Sequence, residues 1–363
     1  MKSLPQKTLL AATLAMLVGV TGCSRAEDEP EPATSVAESE EVESPPAEDL
    51  RLGYFANVTH ASAIIGVNEG LFEAELGDTT LTTQTFNAGP DVIGALLGGS
   101  IDMSFIGPGP TISGFTESDG EALRLISGAT SGGAQLVVRE GIESPEDLAG
   151  TTIATPQLGN TQDVALKKWL SEEGIEKDTA EGVTVQNVAN SDSFALFQAG
   201  DIDGGWLPEP WSSRYVEDAG GGVLLDEADL WDNGVFPTTI IIVRTEFLEE
   251  FPSTVEAFLR GQIAAVQFAE ESPDEAKTIV NAGLEELTGA PLSDVVLDRA
   301  FENITLTFDP AAANFIQLAE DAVTAEVAEE AVDLKGLVDL GPLNRALEEA
   351  GLDTVDAGGL DAG

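Results

Sequence analysis

In GSIDMSFIGPGPT, residues 99–111, a strand and its abrupt end lie side by side. Met103, Ser104, Phe105 and Ile106 are apolar or small and suit a short buried strand. Gly107-Pro108-Gly109-Pro110 stops it, because proline lacks the N–H a ladder needs and glycine weakens a strand. Thr111 then stands where the next segment needs a cap. Open α/β sheets bind ligands in such places, outside the carboxyl ends of their strands. Core strands also end in tight turns that bind nothing, so the flanking sequence has to decide.

Upstream, LGYF (residues 52–55) reads as the opening strand, and a helix carrying Ala63, Ile64 and Val67 on one face follows it. LTTQTF (81–86) alternates as a second strand, and Asn87-Ala88-Gly89-Pro90 opens the helix DVIGALLGG. Strand alternating with helix predicts an α/β fold with a parallel sheet. Downstream, residues 123–129 and 134–138 continue as strands on either side of Ser131-Gly132-Gly133.

A second round of the same plan begins at Ser144-Pro145-Glu146-Asp147, a capping-box start. The strand at 152–154 runs into TPQLGNTQD, and the helix VALKKWL follows directly. A polar, glycine-containing loop at a helix amino terminus favours an anion, through unpaired N–H groups and the helix dipole. It lacks the glycine-lysine spacing of a phosphate loop, which argues against nucleotides. A plain cap by Asn160 or Thr161 is the alternative reading.

FQAGDIDGGWLPEPW (197–211) then echoes LLGGSIDMSFIGPGP (96–110). Each runs from a helix end through Gly-x-Ile-Asp and a short strand to Pro-x-Pro. Two lobes built on one local plan are expected, with the two turns facing each other. A strand at 240–243 and helices to residue 269 follow, 333–352 reads as helical, and 358–363 as a loose tail. The crossings are expected near 138–141 and 243–245. They divide the body into a first lobe (50–139 and 244–363) and a second (140–243).

The 363 residues carry 16 Lys+Arg against 65 Asp+Glu, a formal charge of −49. Nucleic acid is excluded as a partner, since phosphate contacts need clustered cations. A surface this acidic repels itself at low ionic strength and suits high salt, which screens it. The only cysteine is Cys23 and the only histidine His60. That excludes a disulfide, a thiol nucleophile in the folded body and a multi-histidine metal centre. No metal and no cofactor are expected.

Residues 1–23 read as an export signal: Lys2 and Lys7, an apolar core at 9–20, then Val20-Thr21-Gly22-Cys23. That ending resembles a bacterial lipobox, which implies lipid attachment at Cys23 after cleavage before it. The anchor is then lipid rather than a transmembrane helix. Residues 24–49, rich in Glu, Asp, Pro, Ser and Ala, read as a disordered acidic tether.

Over residues 52–269 the order of motifs resembles the nitrate/sulfonate/taurine-type substrate-binding proteins of bacterial ABC importers. The matching motifs are GYFANVTHA (53–61), FNAGPD (86–91), GSIDMSFIGPGPT (99–111), GATSGGAQLVV (128–138), ATPQLGNTQDVAL (154–166), GWLPEPW (205–211) and FPTTIIIV (236–243). Two of them, ATPQLGNTQDVAL and GWLPEPW, are most similar to the aliphatic-sulfonate branch. The resemblance implies a two-lobed type II periplasmic-binding-protein fold with a hinge of two crossings. It places Tyr54, Asn57 and His60 in the cleft from the first turn, Gly107, Pro108 and Gly109 from the next, and Ser131 and Gly132 near the hinge. The other lobe contributes Gln157, Gly159, Asn160, Thr161 and Gln162, then Trp206, Glu209 and Trp211, with Thr239 at the return crossing.

The implied function is that of an extracytoplasmic, lipid-anchored binding component. It captures a small organic anion, an aliphatic sulfonate or taurine-like solute, and passes it to a permease with its ATPase. The chain is expected to act as a monomer and to catalyse nothing. Nitrate, bicarbonate or a thiamine precursor are alternative ligands, and a sensor module or an enzyme on the same fold are alternative roles. Neutral donors suit an oxyanion, and Tyr54, Trp206 and Trp211 suit an apolar tail, though a core place is the alternative for each tryptophan, less so for Trp211 beside Pro210. His60 either donates to the anion or caps a helix. Glu209 either grips a positive group on a zwitterion or fixes its own turn. Arg124, Arg139 and Arg244 either reach the anion or pair with carboxylates.

Overall fold

The computed structural model describes residues 44–179 and 181–362. The export signal, Cys23 and most of the tether therefore lie outside the described residues. The tether's expected end at residue 49 moves inward. Ala47 is already buried, donating its N–H to Thr254 Oγ1 at 2.9 Å and accepting from Thr79 Oγ1 at 2.6 Å.

Among the described residues, eleven strands form two sheets. The first contains β1 (Asp49–Phe55), β2 (Thr80–Phe86), β3 (Met103–Ile106), β4 (Leu123–Gly132), β10 (Pro237–Arg244) and β11 (Ile304–Leu306), in the order β11-β4-β10-β3-β1-β2. The second contains β5 (Ala134–Val138), β6 (Thr152–Thr155), β7 (Thr184–Asn187), β8 (Gly204–Pro208) and β9 (Gly222–Asp226), in the order β7-β6-β8-β5-β9. Three strands of each sheet run parallel, β2-β1-β3 and β7-β6-β8, and the fourth, β10 or β5, pairs antiparallel. That antiparallel strand is the one arriving from the other lobe. β3, β5, β8 and nearly all of β10 are buried throughout, as helix-covered strands require.

Pairing corrects both lobe boundaries. Ala134–Val138, assigned above to the first lobe, is β5 of the second sheet, and Pro237–Arg244 is β10 of the first. The first crossing is Gly132-Gly133, where both residues take positive φ (79° and 77°) and turn the chain before β5. The return crossing is the segment between β9 and β10. An apolar run states that a strand is buried but not which sheet buries it.

The helices, in chain order, are α1 (Ala61–Asn68), α2 (Leu71–Leu76), α3 (Gly89–Leu97), α4 (Pro108–Glu117), α5 (Thr161–Glu172), α6 (Asn190–Ala199) and α7 (Trp211–Glu217). They continue as α8 (Thr245–Glu250), α9 (Pro252–Glu271), α10 (Pro273–Thr288), α11 (Asp294–Glu302), α12 (Asn314–Thr324) and α13 (Gly341–Glu349). Gly107–Pro110 proves to be a helix start as well as a strand stop: Gly107 is the N-cap and Pro108 the first residue of α4, where a missing N–H is harmless. The capping box at Ser144 and Asp147 forms, on a single 3₁₀ turn. The expected loose tail is held instead, with Leu360 buried and its carbonyl accepting from Gly336 N–H at 2.8 Å.

The sequence echo is a structural repeat. Asp102 accepts the Arg51 N–H at 3.0 Å on Oδ2, donates its own N–H to Arg51 O, and accepts Arg244 N–H on its carbonyl. Asp203 does the same with Thr152 (2.8 Å) and Arg139. Each aspartate therefore locks the start of the neighbouring first strand and the end of the antiparallel strand. Gly99 and Gly200, three residues before, both sit at positive φ, 69° and 88°, where the preceding helix ends. Burial alone would raise the Asp102 carboxyl, but hydrogen bonds from Arg51 and Arg244 outweigh it and hold it below its ordinary value. Arg124 bonds the Gly120 and Leu123 carbonyls, and Arg139 those of Ile202 and Phe197. All three arginines are thus spent on structure.

Candidate functional site

The repeat fixes which turns meet. The β3–α4 turn faces not its echo but the β6–α5 turn of the other lobe, where Gly109 N–H donates to Thr161 Oγ1 at 3.2 Å. The β8–α7 turn in the same way faces the turn after β1. There Trp211 Nε1–H donates to Asn57 Oδ1 at 3.0 Å, and Thr59 N–H to Glu209 O at 3.4 Å. The expectation that the two echoing turns oppose each other is corrected. Each third-strand turn opposes the first-strand turn of the other half.

Between these turns lies a small cavity of about 20 Å³. Its walls include Asn57, Thr59, His60, Asn87, Gly107, Asn160, Thr161, Gln162, Asn190 and Thr239. The residues at the amino termini of α3, α4, α5 and α6 all contribute to it, and none of these helices has a side-chain cap. Each helix start carries a partial positive charge of about half a unit, and α3, α5 and α6 also present unpaired N–H groups; α4 does not, because Pro108 and Pro110 lack an N–H and Gly109 N–H is bound to Thr161 Oγ1. The cavity-lining set contains no carboxylate, lysine or arginine.

Side-chain bookkeeping points the same way. Asn57 spends its carbonyl on Trp211, and Gln162 accepts Asn160 Nδ2–H at 3.0 Å. His60 Nδ1 accepts the Phe55 N–H at 3.3 Å, so the neutral ring carries its proton on Nε2. Burial lowers its pKa to about 3, so it stays neutral near pH 7. These three acceptors are consumed within the protein, whereas Asn190 Oδ1 is buried with no partner among the described residues. A second, larger chamber of about 460 Å³ adjoins the first through Phe55, Asn57, Asn87 and Asn190. Phe86, Trp211 and Leu292 supply apolar wall, and Arg214 and Asp218 a polar edge.

Of the residues the sequence singled out, the structure brings Asn57, His60, Gly107, Asn160, Thr161, Gln162 and Thr239 to the small cavity, and Trp211 to the larger one. Gly109 and Gly159 border an apolar groove beyond the Gly109–Thr161 contact. Pro108 sits in the first turn of α4, and Gln157 bridges the lobes at the rim, bonding Asp91 at 3.2 Å. Ser131 and Gly132 stitch the crossings together, through Phe236 O and Thr238 Oγ1. Tyr54 is buried in the first core, so it is not a wall of either chamber. Glu209 is fully buried and engaged by Arg299, Asn303 and Ser213. Sequence reasoning missed Asn190, Asn87 and Thr59. Extending the repeat one strand back would have found the first, because Asn190 opens α6 after β7 as Gly89 opens α3 after β2.

Trp206 belongs to the second core, edge-on to Trp169, and its Nε1–H donates to Glu227 Oε2 at 2.8 Å. Burial pushes the Glu227 carboxyl from 4.5 up to about 7. The folded protein then keeps a proton that the unfolded chain releases, so the stability tied to this group is fully present below pH 4.5 and is lost as pH rises through about 7. Glu227→Gln keeps an acceptor for Trp206. It is expected to match the wild type near pH 4.5 and to exceed it at pH 8 by up to ~3 kcal/mol. Urea unfolding at the two pH values checks this; the same difference at both contradicts it.

The NMT1-like family profile matches residues 43–283. The chain is 30% identical over 232 residues to the taurine-binding periplasmic protein of Escherichia coli (strain K12), covering 62% of this chain and 69% of that protein. Its fold is similar to that of the alkanesulfonate-binding protein SsuA from Xanthomonas axonopodis pv. citri bound to MOPS. That likeness has a TM-score of 0.63 at 21% identity and covers 78% of this chain and 93% of that one. The periplasmic nitrate-binding protein NrtA from Synechocystis PCC 6803 superposes with a TM-score of 0.69 at 16% identity, over 84% and 90% of the two chains. The paired sheets are those of the periplasmic-binding-protein fold. With most of the folded body matched, the chain belongs to the NMT1-like family.

Proposed function

We propose that this chain is the extracytoplasmic substrate-binding component of an ABC importer. It captures a small organic anion, an aliphatic sulfonate or taurine-like aminosulfonate, between its lobes and delivers it to a permease driven by an ATPase. One observation carries the reading: four helix amino termini, three of them with free N–H groups, converge on a cavity whose lining has no charged side chain. Neutral donors hold an oxyanion by geometry and release it when the lobes part. The larger chamber supplies the apolar wall that an organic tail needs and that nitrate or bicarbonate would leave empty. A net charge of −49 does not forbid an anionic ligand, because salt screens the outer field within ~8 Å.

Catalysis is not part of this reading. The titratable side chain on the small cavity is His60, which stays neutral with its Nδ1 occupied. The relatives' names, taurine-binding and sulfonate-binding, point the same way. Cys23, in its lipobox-like context, would hold the protein to the membrane by lipid while it works as a monomer.

The test is a thermal-shift panel of ethanesulfonate, 2-aminoethanesulfonate, nitrate and bicarbonate. A ligand at a hundred times its Kd stabilises the fold by ~2.7 kcal/mol, a shift of several degrees. A shift with a sulfonate and none with the inorganic anions is expected. Shifts with nitrate or bicarbonate alone would overturn the assignment.

A further inference from the structure

Cations are scarce in a chain that holds 16 Lys+Arg against 65 Asp+Glu, and Arg214 stands apart among them. Every other arginine among the described residues donates side-chain hydrogen bonds to protein oxygens. Arg214 donates none: Asp218, one turn on, comes no nearer than 3.5 Å, at Nε, and neither terminal nitrogen is engaged. The guanidinium is nevertheless held in place, 4.2 Å from the centre of the Phe194 ring and 4.8 Å from that of Trp211. Stacking of this kind uses the flat faces of the group and leaves its N–H edge free. With 29% of the side chain exposed, a solute can reach it.

The position of the group says which solute. Trp211, Arg214 and Asp218, spaced three and four residues apart, form the face of α7 that lines the 460 Å³ chamber, while Ser212, Ser213 and Tyr215 are buried behind it. Among the residues lining that chamber, Arg214 is the only cation and Asp218 the only carboxylate. Trp211 also ties this face to the small cavity, through its bond to Asn57 at 3.0 Å. A ligand with its head among the helix starts therefore sends its other end toward a guanidinium with unused donors. We propose that Arg214 is a specificity-determining residue that binds a carboxylate at the far end of the ligand, so that the site selects sulfocarboxylates among the aliphatic sulfonates. This rests on the functional reading above and deepens it. Two coplanar carboxylate oxygens match the free edge of a guanidinium, whereas a plain alkyl tail offers its donors nothing and leaves them to water.

Isothermal titration calorimetry with 3-sulfopropanoate and its apolar isostere 3-methyl-1-butanesulfonate tests the assignment, in about 0.15 M salt, where the outer field is screened within ~8 Å. The readout is the ratio of the two affinities. A charge-assisted pair at a part-exposed site sets the expected wild-type preference for the sulfocarboxylate at about tenfold or more. Arg214→Met, which keeps an apolar stem against the rings, should erase it, leaving the two ligands within about threefold of each other. Arg214→Lys keeps the charge without the fork and should fall between. Asp218→Asn removes the carboxylate that opposes the ligand's own and should widen the preference. Melting curves of the unliganded variants confirm that each is folded, and the lysine and asparagine variants carry the test if the methionine variant is not. A wild type without the preference, or an Arg214→Met protein that keeps it, overturns the proposal and leaves the functional reading intact. The second result would mean that Arg214 only covers the two rings or acts on the shared sulfonate. A wild type that binds neither sulfonate overturns both.

Discussion

Replacing Gly107 with valine is expected to weaken ligand binding by roughly 10- to 100-fold while the unliganded protein melts close to the wild type. Gly107 is the N-cap of α4 with φ −78° and ψ 156°, a conformation any residue adopts, so the backbone itself is not strained by the change. Space is the limit. A Cβ at this position would lie 2.5 Å from Thr161 Oγ1 on the opposing lobe. Alanine's single carbon asks only that the Thr161 hydroxyl turn aside, but valine's branches fill the place where the α4 and α5 starts approach. Overpacking of this kind costs ~1–3 kcal/mol, and here it falls on the closed state alone, since parting the lobes relieves it. At 1.4 kcal/mol per factor of ten, that sets the size of the loss. Calorimetric titration with the best sulfonate, beside a melting curve, separates the two states. Unchanged affinity would mean that the lobes do not close on the ligand as they meet in this structure.

The second large effect lies behind the site. Glu209 Oε1 accepts from Asn303 Nδ2 at 2.6 Å and Arg299 Nη1 at 3.3 Å, while Oε2 accepts the Ser213 N–H at 3.2 Å. Arg299 also donates to Ser213 Oγ at 2.8 Å and Gln135 Oε1 at 2.7 Å. One carboxylate thus joins the β8–α7 turn of the second lobe to α11, which packs on it from the carboxyl-terminal part of the chain. Glu209→Leu strands a guanidinium, an amide and a backbone N–H at once. Breaking a buried pair costs ~3–5 kcal/mol. Because Arg299 keeps 19% of its side chain in solvent, the lower end is expected, a fall in Tm of roughly 6–12 °C. Adding Arg299→Met should recover most of the loss, since it removes the unpaired charge. A Glu209→Leu protein melting with the wild type would show that the latch contributes nothing. The same geometry settles what the sequence left open for this residue: its oxygens are occupied by the protein.

The amino-acid order revealed a good deal of this architecture, and the reason is local. Alternation of strand and helix, the strand stop at Gly107 and the loop before α5 depend on neighbours a few residues away. The Gly-x-Ile-Asp echo was legible because Asp102 and Asp203 make the same bonds in each sheet. What stayed hidden depends on distance along the chain. Ala134–Val138 reads as a buried strand in either lobe, and only its pairing with β8 and β9 assigns it. Tyr54 and Trp206 are the aromatic residues a ligand pocket would use, yet both complete cores, as aromatic side chains commonly do. Glu209 looked available because its partners, Arg299 and Asn303, lie about ninety residues on in a stretch without motifs. Asn190 carries no signal beyond its place in the repeat.

A crystal structure of the protein with a bound sulfonate tests the central claim most directly. The sulfonate oxygens are expected among the starts of α3 to α6, within hydrogen-bonding distance of the Thr161 and Gln162 backbone N–H groups, with the tail directed past Asn190 into the larger chamber. A sulfonate seated elsewhere, its head group away from these helix starts, would contradict it.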